Sequence, residues 1–392
     1  MNIINKIAII GLGYVGFPLA KSFSKFYLTV GYDIDVDLVD SLNKKKHKNL
    51  IISHDSDFIK DANVFIITVP TPITKKNLPD LSYLKSASET VAKYIKKNDV
   101  VIYESTVYPG VTEDICVPIL ESSSKLRYNK DFFCGYSPER ISPGDKSKCL
   151  EKIIKITSGS NSKTANFVDD LYRKIVKAGT YKVNSIKIAE AAKVIENTQR
   201  DLNIALFNEV LILSQKLNLN FNEIIKLAAT KWNFIKFQPG LVGGHCLPVD
   251  PYYLSYIAKK NKFRTNTLLS GRSTNNYMKN YVISEILKCI KKNKLNNKVK
   301  ILILGISYKY GVSDLRNSLG LKIFSNLKKK YKNTYYYDPF VNIKNKLTNI
   351  KKLKNFKLII FLSSGKKYKP MFTKAVKNNL LILDPFNYFI NM

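Results

Sequence analysis

Arginine and acidic residues are scarce in this chain relative to its size. Among its 392 residues, 64 lysines and arginines stand against 30 aspartates and glutamates, which gives a formal net charge of +34. Only seven of these cations are arginines, whereas proteins that read nucleic-acid bases depend on the bidentate arginine fork. Because the lysines are spread along the chain, we interpret the charge as compositional bias of the genome. Attraction of acidic small molecules is the second interpretation, and nucleic acid binding is the least favoured.

Cysteine pairs and long apolar runs are also missing. The five cysteines lie far apart, at positions 116, 134, 149, 246 and 289. Without a Cys-x-x-Cys pair the sequence supports neither a disulfide framework nor a zinc site, and we predict no metal. No stretch reaches 18 consecutive apolar residues, and the first apolar run, 7–11, is too short for an export signal. We therefore expect a cytoplasmic protein in a reducing compartment, without membrane insertion.

The remaining composition is that of an ordinary globular protein of two or three domains. In the first third, short β-rich runs alternate with helical periodicity, which predicts a doubly wound α/β sheet. The runs that read as buried parallel strands are 6–10, 28–32, 64–69 and 100–103.

Glycine and proline are absent from residues 180–238, where apolar residues recur at helical spacing between Ile188 and Leu217. This pattern predicts a long central helix that leads into a helical middle domain. Strand-like runs then return at 300–304, 334–337, 358–362 and 380–383. We predict two Rossmann-like doubly wound domains, at 1–183 and 291–392, joined by a helical domain at 184–290, with the last domain shortened.

A glycine-rich motif follows the first predicted strand and opens a helical pattern. Its sequence is Gly11-Leu12-Gly13-Tyr14-Val15-Gly16, and the next strand ends at Asp33. Glycines allow a tight turn and a close approach of backbone to pyrophosphate, and the acidic residue accepts hydrogen bonds from the adenosine ribose. The alternative is a merely structural turn. We predict NAD rather than NADP, because Asp33 would repel a 2′-phosphate. Gly305 and Asp338 form a weak echo of this pattern.

Two further segments carry reactive side chains. Cys246 follows Gly243, Gly244 and His245, and Asp250 lies four residues later. If the intervening segment is helical, thiol and carboxylate share a face as nucleophile and possible base; we leave His245 unassigned. Lys193 and Asn197 lie four apart on the predicted long helix and could stabilise an oxyanion. Taken alone, such a pair is more often solvated surface, and a lone cysteine is more often a small core residue.

The motifs as an ordered set resemble the nucleotide-sugar 6-dehydrogenase family, the UDP-glucose and UDP-N-acetylhexosamine dehydrogenases. The resemblance covers nearly the whole chain. The matching segments are GLGYVGFPLA at 11–20, GYDID at 31–35, VPTPI at 69–73, ESTVYPG at 104–110, YSPERISPGD at 136–145, EAAKVIENTQRDLNIALFNE at 190–209, GLVGGHCLPVDPYYL at 240–254 and GISYKYGVSDLRNS at 305–318.

The resemblance implies a domain plan and a set of ligands. It implies an NAD-binding domain, a helical middle whose long helix forms the interface of a homodimer, and a C-terminal UDP-sugar domain. It places NAD on the glycine motif with Asp33 and on Pro70, Thr71, Thr106 and Arg316. The residues that it places at the UDP-sugar are Glu139, Arg140, Lys193, Asn197, Phe234, Lys236, Gly243 and Lys309.

The chemistry implied by the resemblance is a four-electron oxidation of the sugar C6 alcohol to a carboxylate, with two NAD⁺ used per product. Cys246 matches the nucleophile that captures the aldehyde as a thiohemiacetal and then carries a thioester. Lys193 and Asn197 match the pair that holds the C6 oxygen. Asp250 matches the carboxylate that handles protons with a water. Thr106 and Glu139 match residues placed for water activation.

Arginines 140, 200, 272 and 316 fall within motif-like segments. In a chain that otherwise uses lysine, a retained arginine indicates a site that needs the planar guanidinium, such as one that binds phosphate or carboxylate or stacks on another group. Chance retention is the alternative. No arginine follows Arg316, so UDP affinity is either reduced or supplied by a lysine.

The segment Ser-Pro-Glu-Arg-Ile-Ser-Pro-Gly-Asp at 137–145 resembles the N-acetylhexosamine branch. Arg140 or the Pro-Gly turn at 143–144 could supply a donor and room for an N-acetyl group. We therefore expect UDP-N-acetylglucosamine or UDP-N-acetylgalactosamine as substrate, for capsule or O-antigen synthesis, with UDP-glucose as the alternative. A two-electron hydroxyacid dehydrogenase would not need Cys246, and a nucleic-acid-binding Rossmann protein would need a concentrated basic face.

Overall fold

A computed structural model describes residues 4–141, 149–347 and 350–389. The chain divides into two compact units: unit 1 comprises Met1–Glu196 and Tyr252–Phe263, and unit 2 comprises Asn197–Pro251 and Arg264–Met392. The division into three domains predicted from the sequence, with boundaries after residues 183 and 290, stays a prediction. The predicted Pro-Gly turn at 143–144 and its neighbours at 142 and 145 lie outside the described residues.

Unit 1 is built on one eight-stranded sheet. Its strands are β1 (Ile7–Ile10), β2 (Thr29–Tyr32), β3 (Leu50–Ser53), β4 (Val64–Ile67), β5 (Val100–Tyr103), β6 (Phe133–Tyr136), β7 (Lys155–Gly159) and β8 (Thr180–Val183). They lie in the order β3-β2-β1-β4-β5-β6-β7-β8, and all neighbours are parallel except β6 and β7. The order reverses between β1 and β4, which is where the carboxyl ends of strands in a doubly wound sheet open a ligand-binding crevice.

The predicted α/β sheet is confirmed, but the sequence pattern predicted only four of its eight strands. β1, β2, β4 and β5 are fully or largely buried apolar runs. By contrast, β7 contains Lys155 with threonine, serine and glycine, and β8 is an edge strand whose Tyr181 is 66% exposed. Such strands lack an apolar run because their stability comes from partners on neighbouring elements.

Helices cover both faces of this sheet. They are α1 (Gly16–Phe23), α2 (Val36–Asn43), α3 (Ser82–Ala92), α4 (Val117–Ser124) and α5 (Ser162–Arg173). Helix α1 buries Leu19, Ala20 and Phe23 in a core shared with β1 and with Tyr172 of α5. A π-helical turn, Thr112–Cys116, precedes α4.

The predicted long helix is confirmed as α6 (Ile186–Lys216), which has 31 residues. The boundary between the two units falls within it in sequence, after Glu196. Three more helices follow: α7 (Phe221–Ala228), α8 (Asp250–Lys260) and α9 (Asn266–Lys292). None of the helices formed by the described residues has the length and hydropathy needed to cross a bilayer.

Unit 2 ends in a second, four-stranded sheet, all of whose pairs are parallel. Its elements are β9 (Ile301–Leu304), α10 (Leu319–Lys330), β10 (Thr334–Tyr337), β11 (Leu358–Phe361), α11 (Lys369–Lys377) and β12 (Leu381–Leu383). The strand order is β10-β9-β11-β12. One core joins Phe207 and Leu211 of α6 with Met278 of α9 and the strands β9 and β11, so these parts of α6 and α9 pack with the second sheet in unit 2.

Candidate active site

The glycine motif forms the predicted turn between β1 and α1. Gly11 has a φ of +91°, and a Cβ on Gly16 would lie 1.8 Å from the Gly11 carbonyl oxygen. The fold therefore requires glycine at both positions. A Cβ on Gly13 would meet nothing within 4 Å. The packing of the protein therefore does not require glycine at position 13. The open space beside Gly13 fits a ligand that passes close to the backbone.

Asp33 lies directly after β2 and next to this turn. Its Oδ2 accepts a hydrogen bond from the Leu12 amide at 2.6 Å, and its Oδ1 accepts one from the Asp35 amide at 3.0 Å. These bonds hold the half-buried carboxylate at the mouth of the glycine turn, where a dinucleotide presents its ribose. Of the other predicted motif residues, Tyr14 is 44% exposed and Val15 is buried. The turn and the carboxylate together fit NAD.

The loops after β4 and β5 are tied together. Thr71 Oγ1 donates a hydrogen bond to the Thr106 carbonyl at 2.6 Å, so two residues predicted to bind the cofactor lie side by side. Tyr253, fully buried on α8, donates its hydroxyl to the carbonyls of Thr71 and Pro72. Sequence reasoning missed Tyr253, because an aromatic residue on an amphipathic helix reads as core. Pro70 is exposed.

Glu139 follows β6 in a buried group of charges. One of its oxygens accepts hydrogen bonds from the amides of Arg140 and Ile141. The other, Oε2, is buried without a hydrogen-bond partner and lies 3.8 Å from Lys155 Nζ. Lys155 is itself paired with the fully buried Glu104 at 2.6 Å. A buried carboxylate oxygen that accepts no hydrogen bond costs free energy, so Oε2 marks a position where a ligand or a water can bind.

The Glu104–Lys155 pair was not found from the sequence. Tyr172 of α5 donates its hydroxyl to the second oxygen of Glu104, and its ring lies 5.3 Å from Lys155 Nζ. Burial raises the pKa of Glu104, although Lys155 and Tyr172 oppose this effect. Glu104, Lys155 and Tyr172 lie on or next to three different elements and share no motif. Their spacing in the sequence therefore does not predict that they meet.

Arg140 is held by protein groups. Its guanidinium pairs with Glu196 at 2.7 Å and donates from Nη1 to the Ile154 carbonyl at 2.8 Å. The sequence predicted that the retained arginines bind groups that need a planar fork. For Arg140 that group is a carboxylate, and the same holds for Arg272 with Asp201 and for Arg316 with Asp314. Glu196 and the Ile154 carbonyl thus engage Nε, Nη2 and Nη1 of Arg140, and a contact of this residue with an N-acetyl group stays a prediction.

The segment that carries Thr106 is anchored to α6. Glu190, which is fully buried, accepts hydrogen bonds from the amides of Gly110 at 2.6 Å and Thr112 at 3.0 Å. Burial raises the pKa of Glu190 to about 7. Lys193, one turn further along α6, is also buried.

Cys246 lies in the turn that leads into α8. The helix begins only at Asp250, so the segment between the two residues is a turn, and the helical condition for a shared face is not met. The turn still brings them together, because the amides of Val249 and Asp250 donate to the Cys246 carbonyl at 2.9 and 3.0 Å. The buried Asp250 carboxylate accepts a hydrogen bond from Asn197 Nδ2 at 2.5 Å. Hydrogen bonds of side chain and backbone therefore link three predicted catalytic residues, Asn197, Asp250 and Cys246, into one cluster within unit 2.

The glycines before Cys246 serve packing. A Cβ on Gly243 would lie 2.9 Å from the Asn317 carbonyl oxygen, and one on Gly244 would lie 2.8 Å from the Tyr308 ring. The Gly244 carbonyl accepts a hydrogen bond from Asn317 Nδ2 at 3.0 Å. Asn317 and Tyr308 therefore occupy the space that a side chain would need at Gly243 and Gly244. His245 lies against the same tyrosine, edge to face.

A cavity of about 230 Å³ opens at the carboxyl ends of β9 and β11. Gly243 and Lys309, both predicted at the substrate, line it together with serines 307, 363 and 364. The predicted echo of the first domain is present here: Gly305 has a φ of +86°, and Asp338 Oδ2 accepts hydrogen bonds from the amides of Ile306 and Ser307.

Other predicted residues lie apart from this cavity. The Phe234 ring packs on Phe207, with ring centroids 6.0 Å apart, and Lys236 is exposed. Arg316 donates from Nε and Nη2 to both oxygens of Asp314. Among the lining residues, the only lysine or arginine is Lys309.

Family models match the chain over three segments. They are the NAD binding, central and UDP binding domains of the UDP-glucose/GDP-mannose dehydrogenase family, over residues 5–176, 187–277 and 302–390.

Relatives span most of the chain. A UDP-N-acetyl-D-glucosamine 6-dehydrogenase of Pseudomonas aeruginosa is 47% identical over 86% of this chain and 83% of its own length. Protein CapL of Staphylococcus aureus is 42% identical over 96% and 95%. The solved structure of a UDP-D-ManNAc dehydrogenase from Pyrococcus horikoshii superposes with a TM-score of 0.89 at 32% identity, covering 99% of this chain and 96% of that one. The chain therefore belongs to the UDP-glucose/GDP-mannose dehydrogenase family and is an NAD-dependent nucleotide-sugar dehydrogenase.

Proposed function

We propose that the chain oxidises the C6 hydroxymethyl group of a UDP-N-acetylhexosamine to the carboxylate by way of a thioester on Cys246. The observation that carries this proposal is the cluster of Cys246, Asp250 and Asn197. It offers a nucleophilic sulfur, a buried carboxylate and an amide that orients this carboxylate. Two of the relatives are named as dehydrogenases of UDP-N-acetylhexosamines, which supports the substrate class.

The first oxidation makes an aldehyde. NAD⁺ supplies the acceptor for the hydride that leaves C6 in this oxidation and in the next. Asp250 receives the hydroxyl proton through a water as that hydride leaves. Lys193 and Asn197 bind the C6 oxygen while its negative charge develops, which lowers the barrier.

The second oxidation needs a covalent intermediate, because an aldehyde must be retained before it can lose another hydride. The Cys246 thiolate adds to C6, and the former carbonyl oxygen takes back the proton from Asp250 through the water to give a thiohemiacetal. When the second hydride leaves C6, the hydroxyl proton passes again through the water to Asp250, and a thioester remains. A water oriented by Thr106 then attacks the thioester carbon while Glu139 takes its proton, the C–S bond breaks, and Cys246 leaves as a thiolate.

The UDP moiety is assigned to the cavity beside β9 and β11. The serine hydroxyls suit the hydrogen-bonding edge of a pyrimidine, and Lys309 suits a diphosphate. With no arginine after Arg316, the family's usual basic contact to UDP is replaced by a lysine in this proposal. Phe234, Lys236 and Arg140 stay predicted contacts from the resemblance alone.

The substrate subclass is proposed as UDP-N-acetylglucosamine or UDP-N-acetylgalactosamine, feeding capsule or O-antigen synthesis. UDP-N-acetylmannosamine enters as a further candidate, because a relative of that activity is 36% identical over 86% of the chain. UDP-glucose is the alternative from the other branch of the resemblance.

The decisive experiment measures NADH yield and initial rate with each of these four UDP-sugars. We expect two NADH per limiting sugar and a faster rate on an acetylated sugar than on UDP-glucose. A yield of one NADH per sugar would contradict the thioester route. A clear preference for UDP-glucose would contradict the substrate subclass and leave the route standing.

We also propose a homodimer that forms through α6. Leu206 and Leu213, seven residues apart on this helix, are each 55% exposed. Leu206 also lines an open groove, together with Leu202 of α6 and Gly271 of α9. Apolar side chains exposed at helical spacing favour burial against a second helix.

A further inference from the structure

A chain of buried polar side chains joins α6 to α9 inside unit 2. Asp201 and Asn208 come from α6, and Arg272 and Asn275 come from α9. Each is at most 2% exposed. Polar groups at this depth cost free energy unless hydrogen bonds satisfy them, and here Asp201 Oδ2 and Arg272 Nε have no hydrogen-bond partner among the described residues. A connected set of four that the fold keeps in spite of this cost indicates a requirement for a defined geometry.

The chain ends on the backbone of Gly240. Asn208 Oδ1 accepts a hydrogen bond from the Gly240 amide at 2.8 Å, and Asn208 Nδ2 donates to the Gly240 carbonyl at 3.1 Å. The second proton of Nδ2 goes to Asn275 Oδ1 at 2.9 Å. The carboxamide thus uses its acceptor and both donors, and it holds one residue of the main chain at two points.

The orientation of the Asn208 amide is set by charge. Arg272 donates to Asp201 Oδ1 at 2.5 Å, so this carboxylate is ionised and acts only as a hydrogen-bond acceptor. Asn275 must then turn its Nδ2 toward Asp201, to which it donates at 2.8 Å. Its Oδ1 consequently faces Asn208 and accepts from it. The ion pair therefore fixes the orientation of the Asn275 carboxamide. Asn275 in turn fixes the orientation of the Asn208 carboxamide, which binds Gly240.

Gly240 begins the segment that reaches the proposed active site. Leu241 and Gly243 line the cavity assigned to UDP, and Cys246 lies six residues after Gly240. On the other side, the Tyr388 hydroxyl would lie 2.7 Å from a Cβ at position 240 and donates to the Pro239 carbonyl at 3.1 Å. The segment is therefore held from two sides at its start.

We propose that Asn208 is a positioning residue for the reaction: its carboxamide, oriented through Asn275 by the Asp201–Arg272 pair, fixes the segment that lines the UDP cavity and carries Cys246. This proposal rests on the proposed function of Cys246 and of the cavity. It assigns to Asn208 an effect on UDP-sugar binding and thiol reactivity, and no contact with substrate.

The test compares Asn208→Ala and Asn208→Asp with Ser214→Ala. Ser214 is a matched control, because it is buried on the same helix and its hydroxyl donates to the Val210 carbonyl of that helix at 2.6 Å. Asn208→Asp keeps the volume and the acceptor for the Gly240 amide but loses both donors. Near-ultraviolet circular dichroism establishes folding before each assay.

The readouts are kcat, the KM of the UDP-sugar, the KM of NAD, and the rate at which iodoacetamide alkylates Cys246 with and without UDP. We expect both Asn208 variants to raise the KM of the UDP-sugar about tenfold or more and to weaken protection of Cys246 by UDP. The KM of NAD and all values of Ser214→Ala should stay within about twofold of wild type.

Asn208 variants that match Ser214→Ala in every readout would overturn the proposal. Loss of folding in both Asn208 variants would overturn it too, since the residue would then serve stability alone. Failure of the proposed function looks different, because wild type itself would then show no oxidation of UDP-sugars or no protection of Cys246 by UDP.

Discussion

At the scale of single residues, the five cysteines differ sharply in setting. Cys116 and Cys134 are buried, and burial raises the pKa of Cys116 to about 12, so it holds its proton at neutral pH. Cys246 lies instead in the turn before Asp250. The thiolate is the reactive form of cysteine, so position in the fold separates the proposed nucleophile from its inert counterparts.

We predict that Cys246→Ser loses turnover by about 10³-fold or more, since only sulfur permits the thiohemiacetal and thioester steps at useful rates. Rapid-mixing measurement of NADH, with mass spectrometry of the enzyme, would show an early stop or a slowly released ester. Cys289→Ser, a matched change at a half-buried thiol, should keep nearly full activity. Normal turnover by Cys246→Ser would remove the covalent route.

Glu190 predicts a pH dependence of stability. Its pKa is raised from 4.5 to about 7 by burial, so the folded state binds its proton more tightly than the unfolded state. The resulting stabilisation is fully present below pH 4.5 and is lost as the pH rises through 7, a change of roughly 3 kcal/mol. Glu190→Gln removes this titration.

Urea unfolding at pH 5, 6, 7 and 8 tests this sign. The stability advantage of wild type over Glu190→Gln should shrink by roughly 2 to 3 kcal/mol between pH 5 and pH 8. The exposed surface variant Glu89→Gln should follow wild type throughout. A constant difference between wild type and Glu190→Gln would show that the folded state does not raise this pKa.

At the scale of elements, the glycine turn between β1 and α1 separates a folding demand from a binding demand. A Cβ on Gly16 would collide with the Gly11 carbonyl, whereas one on Gly13 would meet only open space. We predict that Gly16→Ala lowers the melting temperature markedly. Gly13→Ala should leave the melting temperature within about 2 °C of wild type and weaken NAD binding about tenfold or more, because its methyl group enters the space assigned to the pyrophosphate.

Differential scanning fluorimetry and titration of NAD would measure the two effects separately. Unchanged NAD affinity in Gly13→Ala would place the pyrophosphate elsewhere. A normally stable Gly16→Ala would mean that the turn can open without cost.

At the scale of the whole molecule, the exposed leucines of α6 predict self-association. Leu206→Lys with Leu213→Lys should convert a dimer of 44.7 kDa chains into a monomer, because two charges would have to be buried at the interface. Light scattering coupled to gel filtration gives the mass. Val376→Lys, at a half-exposed position of α11, is the matched control and should stay dimeric. A monomeric wild type would contradict the proposed interface.

The sequence by itself determined the features whose signal is local. The strand, turn, helix and acidic residue of the first motif all lie between Ile7 and Asp33. Helix α6 is predicted by its 3.6-residue periodicity and by the absence of glycine and proline. The four buried apolar strands of the first sheet follow from the same logic. Local pattern suffices here because backbone preference and burial act within one element.

Tertiary structure alone decided the interactions between distant residues. Glu104 and Lys155 are 51 residues apart, and Asn208 and Gly240 are 32 apart. Each partner, taken singly, reads as a surface charge or a neutral helix position. Their roles arise because folding removes water from both groups at once, so that a buried charge or amide must find its complement on another element. Spacing along the chain carries no trace of that requirement.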